Sequence, residues 1–194
     1  MRCMAVLIAL SMFLAGCSAE EELSFGGEDL RAQDSFHFTL EDSSGGLWHL
    51  ENHSGKTVLL VFMFSNCQET CPIVESNVAW VLEQLTPEEM NELYVVSVTM
   101  DYRYDSPQVL EDYKADYNYT WPHLTGSKEA LETVWEPYGI VPMEYQNETT
   151  NDYDIAHQQY TYILDDELKL RVRWSGDDWP VDLFLKDLRT VMSI

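Results

Sequence analysis

The sequence predicts an α/β fold in which a central mixed sheet is flanked by helices. Two apolar runs, residues 58–64 and 94–99, have the length and composition of buried strands, and amphipathic segments follow both of them. Near the C-terminus, residues 160–164 and 168–174 alternate as strands on either side of the turn Asp165-Asp166-Glu167. Strands that alternate with helices and end in a hairpin indicate one domain with a single core.

The remaining elements follow from local signals. Residues 36–40 alternate as a strand, and the turn 43–46 leads into residues 47–50, so we expect an N-terminal hairpin extension. Start signals and apolar spacing predict five helices. They begin at Pro72, at Thr86-Pro87, at Ser106-Pro107 (to about Tyr117), at Ser127 (to Trp135) and at Pro180, the last with Leu183, Phe184, Leu188 and Val191 facing inward.

The first residues have the pattern of an export signal. Residues 4–14 are apolar but too few to cross a bilayer, and Leu14-Ala15-Gly16-Cys17 resembles a bacterial lipobox. We therefore predict a lipoprotein signal peptide at residues 1–16, lipidation of Cys17, a flexible tether at residues 17–33 and the domain at residues 34–194. The alternatives are an uncleaved anchor and an ordinary signal peptide. In each case the domain is exported; the lipobox places it on the outer face of the cytoplasmic membrane or in the periplasm.

The chain is strongly acidic. Asp and Glu together number 34 against 11 Lys and Arg, which gives a formal net charge of -23. Such a surface repels nucleic acid and anionic lipid, so neither is expected as a partner. Attachment to a membrane is expected only through the lipid on Cys17.

Two cysteines mark the predicted functional site. Cys67 and Cys71 lie between the apolar run 58–64 and the helix predicted from Pro72. With three residues between them we expect the sulfurs as neighbours on one helix face, and a helix N-terminus favours thiolate. Such a pair can bind a soft metal ion or form a disulfide.

The order of the predicted elements is that of a thioredoxin-like sheet. In that fold the strand-to-helix junction with the two thiols faces the loop before the C-terminal hairpin, and this loop contains His157. Two thiolates and an imidazole suit copper, and three ligands leave an open side. A structural zinc site would normally close four ligands. A purely structural disulfide is a further alternative.

Several short motifs resemble those of the Sco (SenC/PrrC) family of copper chaperones for cytochrome c oxidase. They occur in the family's order over about residues 34–194: Gly55-Lys56, Cys67-x-x-x-Cys71-Pro72, Asp101-x-x-x-Asp105, Leu124-Thr125-Gly126 and Tyr153-x-Ile155-x-His157. The resemblance implies that Cys67, Cys71 and His157 bind one copper ion. It also implies delivery of copper to the dinuclear CuA centre, with the copper-binding subunit of the oxidase as partner.

The chain departs from the family pattern at three positions. Gln68 and Tyr102 replace prolines, and Ala156 replaces the aspartate before the histidine. The last departure bears on copper affinity and transfer rate rather than on the ligand set. Met100 and Met143 carry soft sulfur, but core packing is the expected use of both.

Two function classes follow for this pair of thiols. The first is a metallochaperone. The second is a thiol-disulfide oxidoreductase that would use Cys67 and Cys71 as redox residues to reduce a partner's disulfide. His157 separates them, because a dithiol reductase of this fold usually has a cis-proline on the facing loop.

Overall fold

The structure, a computed structural model, describes residues 23–147 and 152–194. The strands are β1 (Glu28–Asp34), β2 (Thr39–Asp42), β3 (Leu47–His49), β4 (Thr57–Met63), β5 (Leu93–Thr99), β6 (His123–Thr125), β7 (Met143–Asn147), β8 (Asp152–Ala156), β9 (Tyr160–Leu164) and β10 (Lys169–Ser175). The helices are α1 (Thr70–Glu83), α2 (Pro87–Glu92), α3 (Pro107–Tyr117), α4 (Lys128–Trp135) and α5 (Val181–Met192).

Eight strands form one mixed sheet in the order β1-β10-β9-β4-β5-β6-β2-β3. Strands β4, β5 and β6 run parallel, whereas β9 is antiparallel to β4. All seven residues of β4 are buried, which explains why this run is apolar throughout rather than alternating. The predicted thioredoxin-like α/β class, with a central mixed sheet and flanking helices, is confirmed.

The start signals of α2, α3 and α4 are confirmed, because the hydroxyls of Thr86, Ser106 and Ser127 each accept from a backbone N–H. The Thr86 hydroxyl accepts from the Glu89 N–H (3.2 Å), and the Glu89 carboxylate accepts from the Thr86 N–H (2.8 Å), a complete capping box. Helix α1 begins at Thr70 rather than at the predicted Pro72.

In α5 the prediction is wrong for Leu183, which is 45% exposed, while Phe184 is fully buried. The buried apolar face of α5 is formed by Phe184, Leu185, Leu188 and Val191, and at about 100° per residue Leu183 lies outside this face.

The N-terminal boundary differs from the prediction. Residues 28–33 are not a tether, because they belong to β1, which pairs antiparallel with β10 at the edge of the sheet. Just before β1 the Asp187 carboxylate accepts from the N–H groups of Gly26 and Gly27, each at 2.9 Å. The polar sequence of β1 carries no strand signal, since most of its side chains remain exposed and only Leu30 is buried. The predicted hairpin extension is present as β2 and β3.

A third hairpin, formed by β7 and β8, was not predicted. Strands β7 and β8 form a separate two-stranded sheet that leads directly into His157. Its polar residues include few of the branched and aromatic types that mark strands, which explains the omission.

The predicted signal peptide and Cys17 lie outside the described residues. Within 23–147 and 152–194, no helix has the length and apolar character needed to cross a membrane.

Candidate metal centre

Cys67 and Cys71 lie at the junction of β4 and α1. Cys71 is in the first turn of α1, but Cys67 precedes the helix, so the expectation of two sulfurs on one helix face is wrong for Cys67. The sulfurs still come together, because the Cys71 N–H donates to Cys67 Sγ at 3.3 Å. The side chain of Glu69, the N-cap residue, accepts no hydrogen bond from the N-terminus of the helix. The Cys67 sulfur accepts one there instead, from the Cys71 N–H.

The two thiols differ in acidity. The pKa of Cys67 is lowered to about 3, chiefly by the hydrogen bond from the Cys71 thiol, with His157 contributing and burial opposing. Burial raises the pKa of Cys71 well above its usual value, and the neighbouring Cys67 adds to this. At neutral pH the pair therefore holds one thiolate and one thiol, and Cys71 must lose its proton when both sulfurs bind a metal.

His157 joins the two cysteines from the loop after β8. One ligand atom from each of Cys67, Cys71 and His157 lies within 4.8 Å of the others. The His157 ring packs edge-on against Phe64 at 5.4 Å between centroids, and its buried Nδ1 has no hydrogen-bond partner. An imidazole with one unpartnered nitrogen, placed beside two sulfurs, fits a metal ligand set. The structure brings the three predicted residues together; their role as ligands stays a prediction.

Gln159, which the sequence did not single out, lies against the same site. It is buried, and its Nε2 donates to the Phe62 carbonyl at 2.7 Å. The Cys71 sulfur lies 3.8 Å from Gln159 Oε1, within reach of an S–H hydrogen bond. The only signal in the sequence was its place two residues after His157, directly before β9.

Asp101 and Asp105 are both buried in the loop after β5 and support the two halves of the site. Asp105 accepts from the Ser65 N–H at 3.0 Å, two residues before Cys67, and from the hydroxyls of Ser65 and Thr99. Asp101 accepts from the Tyr153 hydroxyl at 2.6 Å, on the hairpin that leads to His157. Both aspartates therefore act through neighbouring residues and are not in the Cys-Cys-His group.

Other histidines and methionines, which could in principle bind a metal, lie in separate surroundings. His123 is buried, with Nε2 2.9 Å from the Glu75 carboxylate, and His53 stacks on Trp48. Met100 is buried, as expected. The expectation of core packing is wrong for Met143, which is 53% exposed because it lies on the outer face of the β7–β8 hairpin.

Solved structures share this arrangement of elements. The apo Sco1 protein of Thermus thermophilus aligns with a TM-score of 0.76 at 25% identity, covering 88% of this chain and 98% of that one. Arabidopsis thaliana ScoI, solved with copper bound, aligns with a TM-score of 0.73 at 22% identity, covering 81% and 97%. A SCO1/SenC family lipoprotein of Bacillus anthracis aligns with a TM-score of 0.69 at 22% identity, covering 87% and 99%.

Sequence comparison gives the same relatives. The SCO1 homologue of Bacillus subtilis is 22% identical over 192 residues, which cover 94% of this chain and 93% of that protein. Mitochondrial SCO2 of Saccharomyces cerevisiae is 27% identical over 131 residues, 67% of this chain, and this chain spans less than half of that longer protein (44%). The profile of the SCO1/SenC family matches residues 27–193, nearly the whole described chain, and the protein belongs to this family.

Proposed function

We propose that this protein is a copper carrier that holds one copper ion through Cys67, Cys71 and His157. The observation that carries the proposal is the approach of two sulfurs and an imidazole nitrogen to within 4.8 Å of one another. Soft sulfur favours Cu(I), and imidazole also accommodates Cu(II), so the donor set suits an ion that changes oxidation state.

The site is also accessible in the way that transfer requires. Cys71 is fully buried and Cys67 is 8% exposed, whereas His157 is only half-buried. An incoming ligand can therefore approach the copper ion from the side of the imidazole, while the two sulfurs remain inside the protein. Copper transfer by ligand exchange would begin with the displacement of His157.

The recipient that we propose is the CuA centre in the copper-binding subunit of cytochrome c oxidase. The support is membership of the SCO1/SenC family, in which one structural relative, BsSco, is described as a member of the Sco family of cytochrome c oxidase assembly proteins.

We further propose that the protein is exported and attached to a membrane by a lipid on Cys17. The lipobox and the lipoprotein among the structural relatives support this.

Copper titration of the reduced protein tests the ligand set. Native mass spectrometry should show one copper ion per chain in the wild type. In Cys67→Ser/Cys71→Ser the affinity should fall by several orders of magnitude, because both soft donors are lost. Ser76→Ala, an exposed position on α1, is the matched control and should bind like the wild type. Full affinity in the double variant would refute the proposal.

A second candidate function is reduction of a partner's disulfide by Cys67 and Cys71. The lowered pKa of Cys67 favours this candidate, because a thiolate is the attacking species in thiol-disulfide exchange. Replacement of His157 by Ala separates the two functions. We expect His157→Ala to lose copper delivery to an oxidase subunit while Cys67 and Cys71 still form a disulfide. Delivery at the wild-type rate would favour the reductase.

A further inference from the structure

Gln159 forms part of the wall of the copper site, and its side-chain oxygen is directed at Cys71. We propose that Gln159 Oε1 is a fourth, weak ligand to the copper ion that Cys67, Cys71 and His157 hold. This inference rests on the proposed function, because it concerns the same ion. It adds a donor of a different chemical type, a neutral amide oxygen, to two sulfurs and a nitrogen.

The orientation of the Gln159 amide follows from its partners. A backbone carbonyl can only accept a hydrogen bond, so the group 2.7 Å from the Phe62 oxygen must be the amide nitrogen. The oxygen is therefore on the other side, toward Cys71. The Gln159 backbone is also held, because its carbonyl accepts from the Gly176 N–H at 2.9 Å. Side chain and main chain together keep Oε1 in one position.

The distance fits shared coordination of one ion. In tetrahedral metal sites with bonds of about 2.0–2.3 Å, two donor atoms lie roughly 3.3–3.8 Å apart. Gln159 Oε1 lies 3.8 Å from Cys71 Sγ. A buried amide oxygen needs a polar or electropositive partner, and a copper ion held by Cys71 can be that partner.

A copper-bound oxygen of Gln159 should change the reduction potential of the copper ion. A glutamine oxygen is an established weak axial ligand in protein copper sites, where the axial donor tunes the reduction potential. A hard oxygen stabilises Cu(II) relative to Cu(I), so Gln159 should lower the Cu(II)/Cu(I) potential. Being neutral, it adds no charge to a buried site that already holds two thiolates.

The test compares Gln159→Leu and Gln159→Met with the wild type, each loaded with copper. Leu removes the donor at similar size, and Met replaces the oxygen by a soft thioether. We expect the Cu(II)/Cu(I) potential to rise in the order wild type, Met, Leu, and the Cu(II) EPR spectrum to differ between all three. Both substitutions lose the hydrogen bond to Phe62 equally, so a purely structural role for Gln159 would affect them alike.

Gln158→Leu is the control, since Gln158 is the exposed neighbour whose side-chain oxygen accepts from the Val141 N–H at 3.3 Å. Its spectrum and potential should match the wild type. If Gln159→Leu fails to fold, Gln159→Met alone decides, and a Met variant with the wild-type spectrum and potential overturns the proposal. Wild-type protein that binds no copper, or keeps its affinity without both cysteines, would instead contradict the proposed function.

Discussion

Asp105 shows how a single buried carboxylate adjusts the stability of this protein. It is 1% exposed and accepts hydrogen bonds from Ser65 and Thr99, so it joins the cysteine loop to the end of β5. Burial raises its pKa to about 6, and the hydrogen bonds only partly offset that effect. An unfolded aspartate has a pKa of about 3.9.

This difference predicts a pH dependence of stability. Between pH 4 and 6 the folded protein binds more protons at Asp105 than the unfolded chain does, so the free energy of unfolding should fall as the pH rises through that window. A shift of about two pH units corresponds to roughly 3 kcal/mol as an upper limit. In Asp105→Asn we expect the free energy of unfolding not to fall over this pH range. Urea unfolding at pH values from 4 to 7 measures this.

The exposed Asp116 in α3 provides the control. Asp116→Asn should keep the wild-type dependence, because this substitution leaves the buried carboxylate in place. Parallel pH curves for the wild type and Asp105→Asn would contradict the prediction.

At the scale of elements, the loop between β5 and α3 connects the two halves of the metal site. Through Asp105 it holds the loop before Cys67, and through Asp101 it holds Tyr153 on β8. Arg103 from the same loop lies 4.2 Å above the Tyr153 ring and pairs with Glu144 on β7 at 2.7 Å. This loop thus holds the hairpin that carries His157 against the rest of the domain.

Tyr153→Phe should weaken that attachment. The substitution keeps the ring under Arg103 and removes the hydroxyl that donates to buried Asp101. We expect the free energy of unfolding to fall by about 1–2 kcal/mol. Copper affinity should fall several-fold, because His157 is held less firmly. Chemical denaturation and copper competition measure the two effects.

Tyr145→Phe is the matched control for Tyr153→Phe. The Tyr145 hydroxyl lies on the exposed face of the same hairpin and donates to Asp154 at 3.2 Å. Its removal should change stability by less than about 0.5 kcal/mol and leave copper affinity unchanged. Equal effects of the two substitutions would mean that Asp101 does not hold the hairpin in place.

The local order of elements could be predicted from the sequence because each has its own signal. The buried run of β4, the capping box of α2 and the hairpin of β9 and β10 required only neighbouring residues. Strand β1 could not be predicted, since its hydrogen bonds are made with β10, far along the chain. The β7–β8 hairpin was missed because its residues are largely polar or exposed.

At the scale of the whole molecule, the pairing of β1 with β10 at the edge of the sheet limits the distance between the domain and a lipid on Cys17. Because residues from Gly26 onward are held by Asp187 and β10, a lipid on Cys17 would be separated from the domain only by the residues up to about 25. A segment of about eight residues spans at most roughly 30 Å. We therefore expect the candidate metal centre of the lipidated protein to lie close to the membrane surface.

Membrane attachment should depend on Cys17 alone. Fractionation of cells should find the wild type with the membranes, because acyl chains supply the attachment and a chain of net charge -23 has no affinity for anionic lipid. Cys17→Ala should be released or processed differently, whereas Cys3→Ala, in the predicted signal peptide, should fractionate like the wild type. Wild-type protein found only in soluble, unlipidated form would overturn this prediction.

The sequence by itself determined the α/β class, most helices, the central strands and the three residues of the candidate metal centre. Spacing, strand order and the resemblance to the Sco motifs together indicated these residues, and the thioredoxin-like topology brings the loop of His157 to the junction of Cys67 and Cys71. Only the tertiary structure decided that Gln159 lies against Cys71 and that Asp105 supports the cysteine loop. These contacts join residues 40 and 88 positions apart and depend on side-chain direction, which no local pattern encodes.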